Sequence, residues 1–407
     1  MSSPSPLKQT VAVGPTPGAP YSPAVKAGDL IYVSGTLATD HRDSSATDHR
    51  HSSATDRRNS SAPDNTDHTE VAARDVGAQT RKVIERTRDV LTAAGTSLEQ
   101  VVSVTVFLKS QGDFAAMNDV YRTFWPTNPP ARTTVVTDLV LPDALVEMSM
   151  VAVGPGVERT VIHPDGWLKS PSPYSYAIRT GETLFLSGLV SRNGRDNSLV
   201  PGDVAAQTRT VLENAGEVLK AAGMTHANVV SSKIYLPDLA TFQQMNSAYR
   251  TFFPASPPAR ATVGAGLAGA QYNVEITMVA SSAPRQVVND GRPANPNLSA
   301  GIVAGNRVYV SGMLGNTDAN RHDVAAQTQE TLLRVGHALE AAGSGPADVV
   351  EAVVYLTDLG DYAAMNDAYR AFFGRDFPSR TTIRSGLVVP DGLVEIMVVA
   401  ERGAGRR

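Results

Sequence analysis

The amino-acid sequence predicts an α+β protein of three tandem β-β-α-β-α-β-β units, forming an intramolecular pseudo-trimer with helices outside a central β-barrel-like core. The first observation is a motif, Met-Asn-x-x-Tyr-Arg, that starts at Met117, Met245 and Met365, at offsets of 128 and 120 residues. The second is that each copy has a long segment of helical period followed by a β-branched run. The third is that a sheet with helices on one face needs a cover for its other face, which sister copies can supply.

The first half of each unit follows from local patterns. In the first copy, a Gly-containing turn at residues 27–29 separates two apolar runs and predicts a hairpin. In the second copy, Asp203 is a suitable N-cap and Gly223 a suitable C′ residue for an amphipathic helix. Equivalent helices are expected at residues 75–95 and 323–343.

The second half of each unit is predicted in the same way. The β-branched runs at residues 101–108, 229–236 and 349–356 predict one strand per copy. The Met-Asn-x-x-Tyr-Arg segment that follows predicts a second helix, whose Tyr and Phe side chains are interpreted as core residues. In the first copy, residues 132–139 and 145–153 predict a closing pair of strands.

The repeat divides the chain into three units at residues 1–155, 156–284 and 285–407. The first unit carries a low-complexity insertion at about residues 40–70, made of three octads that start at Ser44 and repeat every eight residues. The octads contain no apolar side chain larger than Ala or Pro, so a loop is expected. Histidines occur there, but their alternation with Ser, Thr and Arg fits sequence repetition better than a metal site. These histidines are His41, His49, His51 and His68.

Composition excludes several kinds of chemistry. The 407 residues include no cysteine, which excludes disulfides, thiolate metal sites and cysteine nucleophiles. The formal charge is −4 without a long basic run, so no nucleic-acid partner is expected. No apolar stretch approaches the ~18 residues of a membrane span. A soluble, cytoplasmic protein without membrane contact is the expectation.

Three residue types recur at matching spacing and could carry chemistry. An Arg follows a Pro, a Thr lies two residues after the Arg, and a Glu fifteen residues after it. The sets are Arg132, Thr134 and Glu147; Arg260, Thr262 and Glu275; and Arg380, Thr382 and Glu395. Each Glu lies inside an otherwise apolar strand, where a carboxylate is costly unless it is paired or solvated.

If the closing strands pair as a hairpin, each Arg shares one site with the Glu of its own copy. One interpretation is a buried ion pair that only closes the hairpin. The other is an Arg that binds a substrate carboxylate beside a Glu that holds or activates water. Spacing alone leaves both open.

Each copy resembles the RidA (YjgF/YER057c/UK114) family of enamine/imine deaminases, over nearly the whole chain. The resemblance depends on AGDLIYVSG from Ala27, DVAAQT from Asp203 and Asp323, Met-Asn-x-x-Tyr, Pro-x-Arg and the late Glu. It implies a fold similar to chorismate mutase and a trimer whose clefts between protomers bind small carboxylates. Three joined copies then imply a monomer that mimics this homotrimer.

The resemblance also implies an activity, the hydrolysis of reactive enamines or imines such as 2-aminoacrylate to 2-keto acids and ammonia, with no metal or organic cofactor. It implies that the three Arg bind the substrate carboxylate and that Glu147, Glu275 and Glu395 orient the attacking water. Further implied substrate-binding residues are Tyr21, Tyr174, Gly35, Gly188, Gly312, Thr134, Thr262, Thr382, Asn118, Asn246 and Asn366. The third copy has Leu298 in place of the Tyr, so the clefts cannot be identical.

Other functions stay open at this point. One alternative is a non-catalytic protein that binds small carboxylates or regulates another process. A second is a tailoring enzyme with a specialised substrate in a biosynthetic pathway. A ribonuclease is less favoured, because the sequence lacks clusters of basic and aromatic residues.

Overall fold

The computed structural model describes residues 7–14, 17–38 and 75–405, so the prediction of a loop for the octads lies outside the described residues. Each of the three units has the predicted element order, preceded by a short additional edge strand. No helix within the described ranges combines the length and the apolar character needed to cross a membrane.

The elements of the three units correspond, and units 2 and 3 each add a two-residue strand to the common set. Unit 1 contains β1 (Gln9–Val11), β2 (Ala24–Ala27), β3 (Leu30–Leu37), α1 (Val76–Ala93), β4 (Val101–Leu108), α2 (Phe114–Phe124), β5 (Ala131–Val136) and β6 (Val146–Val153). Unit 2 contains β7 (Thr160–Ile162), β8 (Ala177–Thr180), β9 (Thr183–Leu186), α3 (Val204–Ala221), β10 (Val229–Leu236), α4 (Phe242–Phe252), β11 (Ala259–Gly264), β12 (Gly266–Leu267) and β13 (Glu275–Ser281). Unit 3 contains β14 (Arg285–Val287), β15 (Gly301–Ala304), β16 (Arg307–Leu314), α5 (Val324–Ala341), β17 (Val349–Leu356), α6 (Tyr362–Phe373), β18 (Ser379–Arg384), β19 (Gly386–Leu387) and β20 (Val394–Glu401).

The long helices begin and end where their capping residues predict. Each begins after an Asp whose carboxylate accepts a hydrogen bond from a backbone N–H two or three residues later. Each is followed by a Gly in the left-handed region, with φ of 81°, 71° and 71°. The caps are Asp75, Asp203 and Asp323, and the glycines are Gly95, Gly223 and Gly343.

The closing strands do not pair with each other, and the predicted hairpin is wrong. In unit 1 the strand order is β1-β2-β3-β6-β4-β5, so β4 lies between β5 and β6. Strand β5 is parallel to β4, and β6 is antiparallel to it. The physical reason is that α2 crosses over from β4 to β5, which returns the chain as a parallel neighbour.

Helices cover one face of each sheet, and the other faces pack against one another. Three equivalent side chains meet between the sheets, namely Phe107, Tyr235 and Tyr355, and all three are buried. They belong to one apolar cluster with residues of all three units. The three units therefore bury a common core and are not separate domains on linkers.

The described strands form three sheets of six or seven strands, not one closed barrel, so the barrel-like core is corrected in this respect. The sheets are connected at their edges by short pairings. Strand β12 of unit 2 pairs with β5 of unit 1, and β19 of unit 3 pairs with β11 of unit 2. Leu139 of unit 1 forms a bridge with Ile383 of β18. Each unit thus covers an edge of another, in cyclic order.

Candidate active sites

Each Arg meets the Glu of a different copy, not that of its own. The backbone N–H of Thr134 donates a hydrogen bond to Oε1 of Glu275 at 3.3 Å. Arg380 and Glu147 line the same cavity. The arrangement is cyclic, because unit 1 faces unit 2, unit 2 faces unit 3, and unit 3 faces unit 1.

We number the three clefts by the unit that supplies the Glu. Cleft 1 contains Tyr21, Gly35 and Glu147 of unit 1 with Arg380 and Thr382 of unit 3. Cleft 2 contains Tyr174, Gly188 and Glu275 of unit 2 with Arg132 and Thr134 of unit 1. Cleft 3 contains Gly312 and Glu395 of unit 3 with Arg260 and Thr262 of unit 2. Leu298 directly precedes Ser299, which hydrogen-bonds the Arg-bearing segment of unit 2 at Pro257 and Pro258.

Two serines of the Glu-bearing unit fix the Arg-bearing strand of the other unit. In cleft 2, Oγ of Ser187 accepts a hydrogen bond from the backbone N–H of Arg132 at 2.8 Å. The same hydroxyl donates to the carbonyl of Ser175 at 2.6 Å. Ser175 in turn donates through its hydroxyl to the carbonyl of Pro129. The equivalent pairs are Ser34 with Ser22 in cleft 1, and Ser311 with Ser299 in cleft 3.

A repeated glutamine holds the loop before each Glu. In unit 2, the Gln207 side chain donates to the carbonyl of Gln271 at 3.0 Å and accepts from the N–H of Asn273 at 2.7 Å. Asn273 lies two residues before Glu275, so these bonds fix the start of the Glu strand. Gln79 and Gln327 make the same pair of bonds in units 1 and 3.

The glycine of each Ser-Gly pair leaves the space that the Glu carboxyl occupies. A Cβ on Gly35 would lie 1.9 Å from Oε1 of Glu147, which is far inside contact distance. The values for the Gly188–Glu275 and Gly312–Glu395 pairs are 2.0 and 1.8 Å. These glycines therefore leave room for the carboxyl, because any larger residue would displace it, and their role in substrate binding stays a prediction.

Burial changes the acidity of the three carboxyl groups. Glu147, Glu275 and Glu395 are only 4%, 4% and 2% exposed. Loss of solvent raises the pKa of each to about 8, although the facing Arg lowers it in part. At neutral pH each carboxyl is therefore largely protonated and can donate a proton.

Aromatic rings surround each guanidinium. Arg132 lies 4.9 Å from the ring centroid of Tyr121, 5.8 Å from Phe114 and 5.9 Å from Tyr174. Arg380 has the same surroundings in Tyr369, Tyr362 and Tyr21, at 4.8, 5.6 and 5.8 Å. Around Arg260 the corresponding rings are Tyr249 and Phe242. These faces stabilise a cation by its attraction to the π-systems.

Several buried polar atoms in the clefts have no hydrogen-bond partner within the protein. They include Nη1 of each Arg, Oγ1 of each Thr two residues later, and Oε2 of Glu147 and Glu395. Buried polar atoms are rarely left unpaired in folded proteins. Each cleft therefore offers unpartnered donors and a hydroxyl to water or to a polar ligand.

One protein family matches most of the chain. The family model Endoribonuclease L-PSP matches the chain three times, over residues 12–154, 167–282 and 291–402. The chain belongs to this family. The resemblance to RidA (YjgF/YER057c/UK114) proteins, and the presence of three tandem copies, are thereby confirmed.

Single-copy relatives match one unit each. The 3-aminoacrylate deaminase RutC of Acinetobacter baylyi is 38% identical over 138 residues, which is 34% of this chain and 90% of that protein. The 2-iminobutanoate/2-iminopropanoate deaminase of Mus musculus is 38% identical over 112 residues, 28% of this chain and 83% of that protein. A RutC family protein of Sulfurisphaera tokodaii is 39% identical over 113 residues, 28% of this chain and 90% of that protein.

The alignment with a crystal structure of chorismatase covers 74% of this chain and 93% of the chorismatase chain, with a TM-score of 0.52 and 15% identity. At this level of identity the likeness is one of fold alone. It extends beyond a single copy, as expected for RidA-type units that pack on one another.

The remaining predicted residues of this RidA-type chain are three asparagines, one on the second helix of each unit. Asn118, Asn246 and Asn366 are buried in α2, α4 and α6. Asn366 is not among the described residues that line cleft 1, although Arg380 and Thr382 of the same unit are. In the part of the chain that the structure describes, no group of three or more His, Asp or Glu is placed to hold a metal ion.

Sequence reasoning missed two sets of cleft residues. The first is the serine pairs described above. The second is the aromatic residue that opens the second helix, which is Phe114, Phe242 or Tyr362. The offsets of 128 and 120 residues between these aromatic residues were a usable signal. Tyr121, Tyr249 and Tyr369 were interpreted as core only, but they also cover the Arg side chains.

Proposed function

We propose that the protein is a hydrolytic deaminase of reactive enamine or imine intermediates derived from amino acids, and that it releases a 2-keto acid and ammonia. The observation that carries this proposal is the pairing, in each cleft, of a buried carboxyl of raised pKa with an Arg that has an unpartnered Nη1. The activities for which the RutC and 2-iminobutanoate/2-iminopropanoate deaminase relatives are named agree with it.

Substrate binding begins at the guanidinium. Its planar fork matches a carboxylate, and the aromatic rings around it hold it in place. The Thr hydroxyl and the Glu carboxyl belong to the same cleft and complete the polar surroundings of the reacting carbon.

Chemistry follows from the protonated Glu. For an enamine, the carboxyl donates its proton to the terminal carbon, which gives an iminium ion; for an imine, the nitrogen takes the proton. The resulting carboxylate accepts a proton from the water that adds to the C=N carbon. The restored carboxyl then protonates the amine, the C–N bond breaks, and the carboxylate removes the hydroxyl proton as the carbonyl forms. Substrate and water give keto acid and ammonia, with the Glu unchanged.

The test measures ammonia and keto-acid release from freshly generated 2-aminoacrylate. We expect acceleration by the purified protein and its loss in a triple variant with Gln in place of Glu147, Glu275 and Glu395. A matched control replaces three exposed glutamates, Glu99, Glu213 and Glu340, by Gln and should keep the activity.

Two results would contradict the deaminase. One is the absence of acceleration by the folded wild-type protein with any imine. The other is unchanged acceleration after Arg132, Arg260 and Arg380 are all replaced by Ala. Carboxylate binding without turnover would favour a binding or regulatory protein instead.

We also propose that the chain works as a monomer in place of a homotrimer. Support comes from the cyclic edge pairings and from the common core between the sheets.

A further inference from the structure

The three units differ in the residues at which the long helix reaches cleft 1. In cleft 1 the wall includes Lys82, Arg86 and Asp89 of α1. The long helices have equal length and their starts keep the repeat offsets, so positions along them correspond. Lys82 corresponds to Thr210 in cleft 2 and to Glu330 in cleft 3.

The residue one helical turn after Lys82 or Glu330 is an Arg in both units 1 and 3. Arg86 of α1 corresponds to Arg334 of α5, and each donates through Nη1 to a backbone carbonyl of the preceding strand, that of Leu37 or Leu314. Arg334 also forms an ion pair with Glu330, at 2.8 Å. Unit 1 has Lys82 at the position of that Glu, so a second cation lies where unit 3 has an anion.

At these three helix positions, cleft 1 has the largest positive charge of the three. Lys82 and Arg86 contribute two positive charges and Asp89 one negative charge. The equivalent set in cleft 2 is Thr210, Asn214 and Glu217, with one negative charge, and in cleft 3 it is Glu330, Arg334 and His337, in which the Arg and the Glu are paired. Arg380 also lines cleft 1, where it corresponds to Arg132 in cleft 2 and to Arg260 in cleft 3.

A hydroxyl makes the Arg side of cleft 1 more polar as well. Nη2 of Arg380 donates to the hydroxyl of Tyr362 at 3.1 Å. The equivalent residues beside Arg132 and Arg260 are Phe114 and Phe242, which offer only an apolar ring.

Cleft 1 also has more room than the smallest substrates need. Its cavity volume is about 460 Å³. At about 30 Å³ each, the share of a water molecule in the liquid, the six non-hydrogen atoms of a three-carbon imino acid fill only about 180 Å³. Space remains between that substrate and the Lys82 wall.

We propose that cleft 1 is selective for enamines or imines that carry a second acidic group, whereas clefts 2 and 3 act on monocarboxylates. Arg380 binds the carboxylate next to the reacting carbon, and Lys82 binds the distal one. This inference rests on the proposed deaminase function, because it assigns a substrate class to one of its clefts.

Binding is tested first, because it needs no turnover. The probes are 2-oxobutanoate and 2-oxoglutarate, which differ by a distal carboxylate, titrated calorimetrically into the full chain. An exposed ammonium adds only a modest attraction, so in Lys82→Thr we expect the ratio of the two affinities to fall about three- to fivefold. Lys82→Glu, the residue of cleft 3, should lower it further. Thr210→Lys should add a second site for 2-oxoglutarate, and Lys220→Thr, which removes an exposed lysine at the end of α3, is the control.

Turnover is tested on chains with one active cleft. Glu275→Gln with Glu395→Gln leaves cleft 1, and Glu147→Gln with Glu395→Gln leaves cleft 2. We expect the kcat/KM ratio for the imine of 2-oxoglutarate over that of 2-oxobutanoate to be at least threefold higher for cleft 1. Equal ratios for both chains, or an unchanged affinity ratio in Lys82→Thr, would overturn the selectivity. Loss of turnover on both imines in every chain would refute the deaminase, and the binding ratios would still decide the selectivity.

Discussion

Gly35→Ala tests whether the position of the Glu147 carboxyl requires the absence of a side chain at Gly35. Gly35 does not lie in the left-handed region, so an Ala there has no backbone strain, and its Cβ would lie 1.9 Å from Oε1 of Glu147. Overpacking of this kind typically costs about 1–3 kcal/mol. With an unfolding entropy of about 2.1 cal/mol/K per residue, the 407 residues give about 0.85 kcal/mol/K. The expected fall in Tm is about 1–4 °C.

The assay is thermal unfolding followed by circular dichroism, for Gly35→Ala with and without Glu147→Ala. In the Glu147→Ala background the nearest remaining contact of the new methyl group is the Thr381 Cγ2 at 3.2 Å, so most of the loss should disappear. Gly345→Ala is the control, because Gly345 has an extended φ of −156° and open space around it. An equal Tm loss in both backgrounds, or none, would refute the contact between Gly35 and the carboxyl.

The other predictions concern acidity, mass and the third cleft. At Glu147, Glu275 and Glu395 the folded pKa of about 8 exceeds the ordinary value of 4.5, so the folded state binds more protons than the unfolded state between these pH values. The Tm should therefore fall as pH rises from 5 to 8, and each tenfold difference in proton affinity between the two states corresponds to about 1.4 kcal/mol. A triple Glu→Gln variant with the same pH dependence of Tm would contradict this. The kcat/KM should likewise decline above about pH 8, as the carboxyl loses the proton that it donates, and a rise there would refute proton donation. Light scattering should give a mass near 43 kDa, and a stable species of three times that mass would refute the intramolecular trimer. Leu298→Tyr should add a third ring beside Arg260 and strengthen pyruvate binding to cleft 3 about two- to fivefold. Leu298→Phe adds the ring without the hydroxyl and so distinguishes their two effects. An unchanged pyruvate affinity in both variants would show that Leu298 lies away from the ligand.

Local patterns predicted the elements well, because capping residues and β-branched runs act within a few residues. The strands at Val101–Leu108, Val229–Leu236 and Val349–Leu356 have the predicted bounds. The error lay in pairing the two closing strands. Neighbours in sequence usually pair, but here the α2 crossover made β4 the neighbour of both, and no short-range signal encodes that choice.

The site was predictable as a set of residues and not as an assembly. Arg132 and Glu275 meet because two sheets pack across the common core, which involves residues more than 140 positions apart. Spacing within a copy indicated that an Arg and a Glu belong together, since every copy has both. It could not indicate that the partner comes from another copy, because that depends on the cyclic order in which the units pack.

The exchange of residues between units has a consequence for how such a protein evolves. In a homotrimer encoded by a single-copy gene, every substitution appears in all three clefts at once. Here a substitution such as Thr to Lys at the Lys82 position changes one cleft, and a substitution on the Arg-bearing strand of the same copy changes a different one. Selection can therefore act on one cleft while the two others stay unchanged.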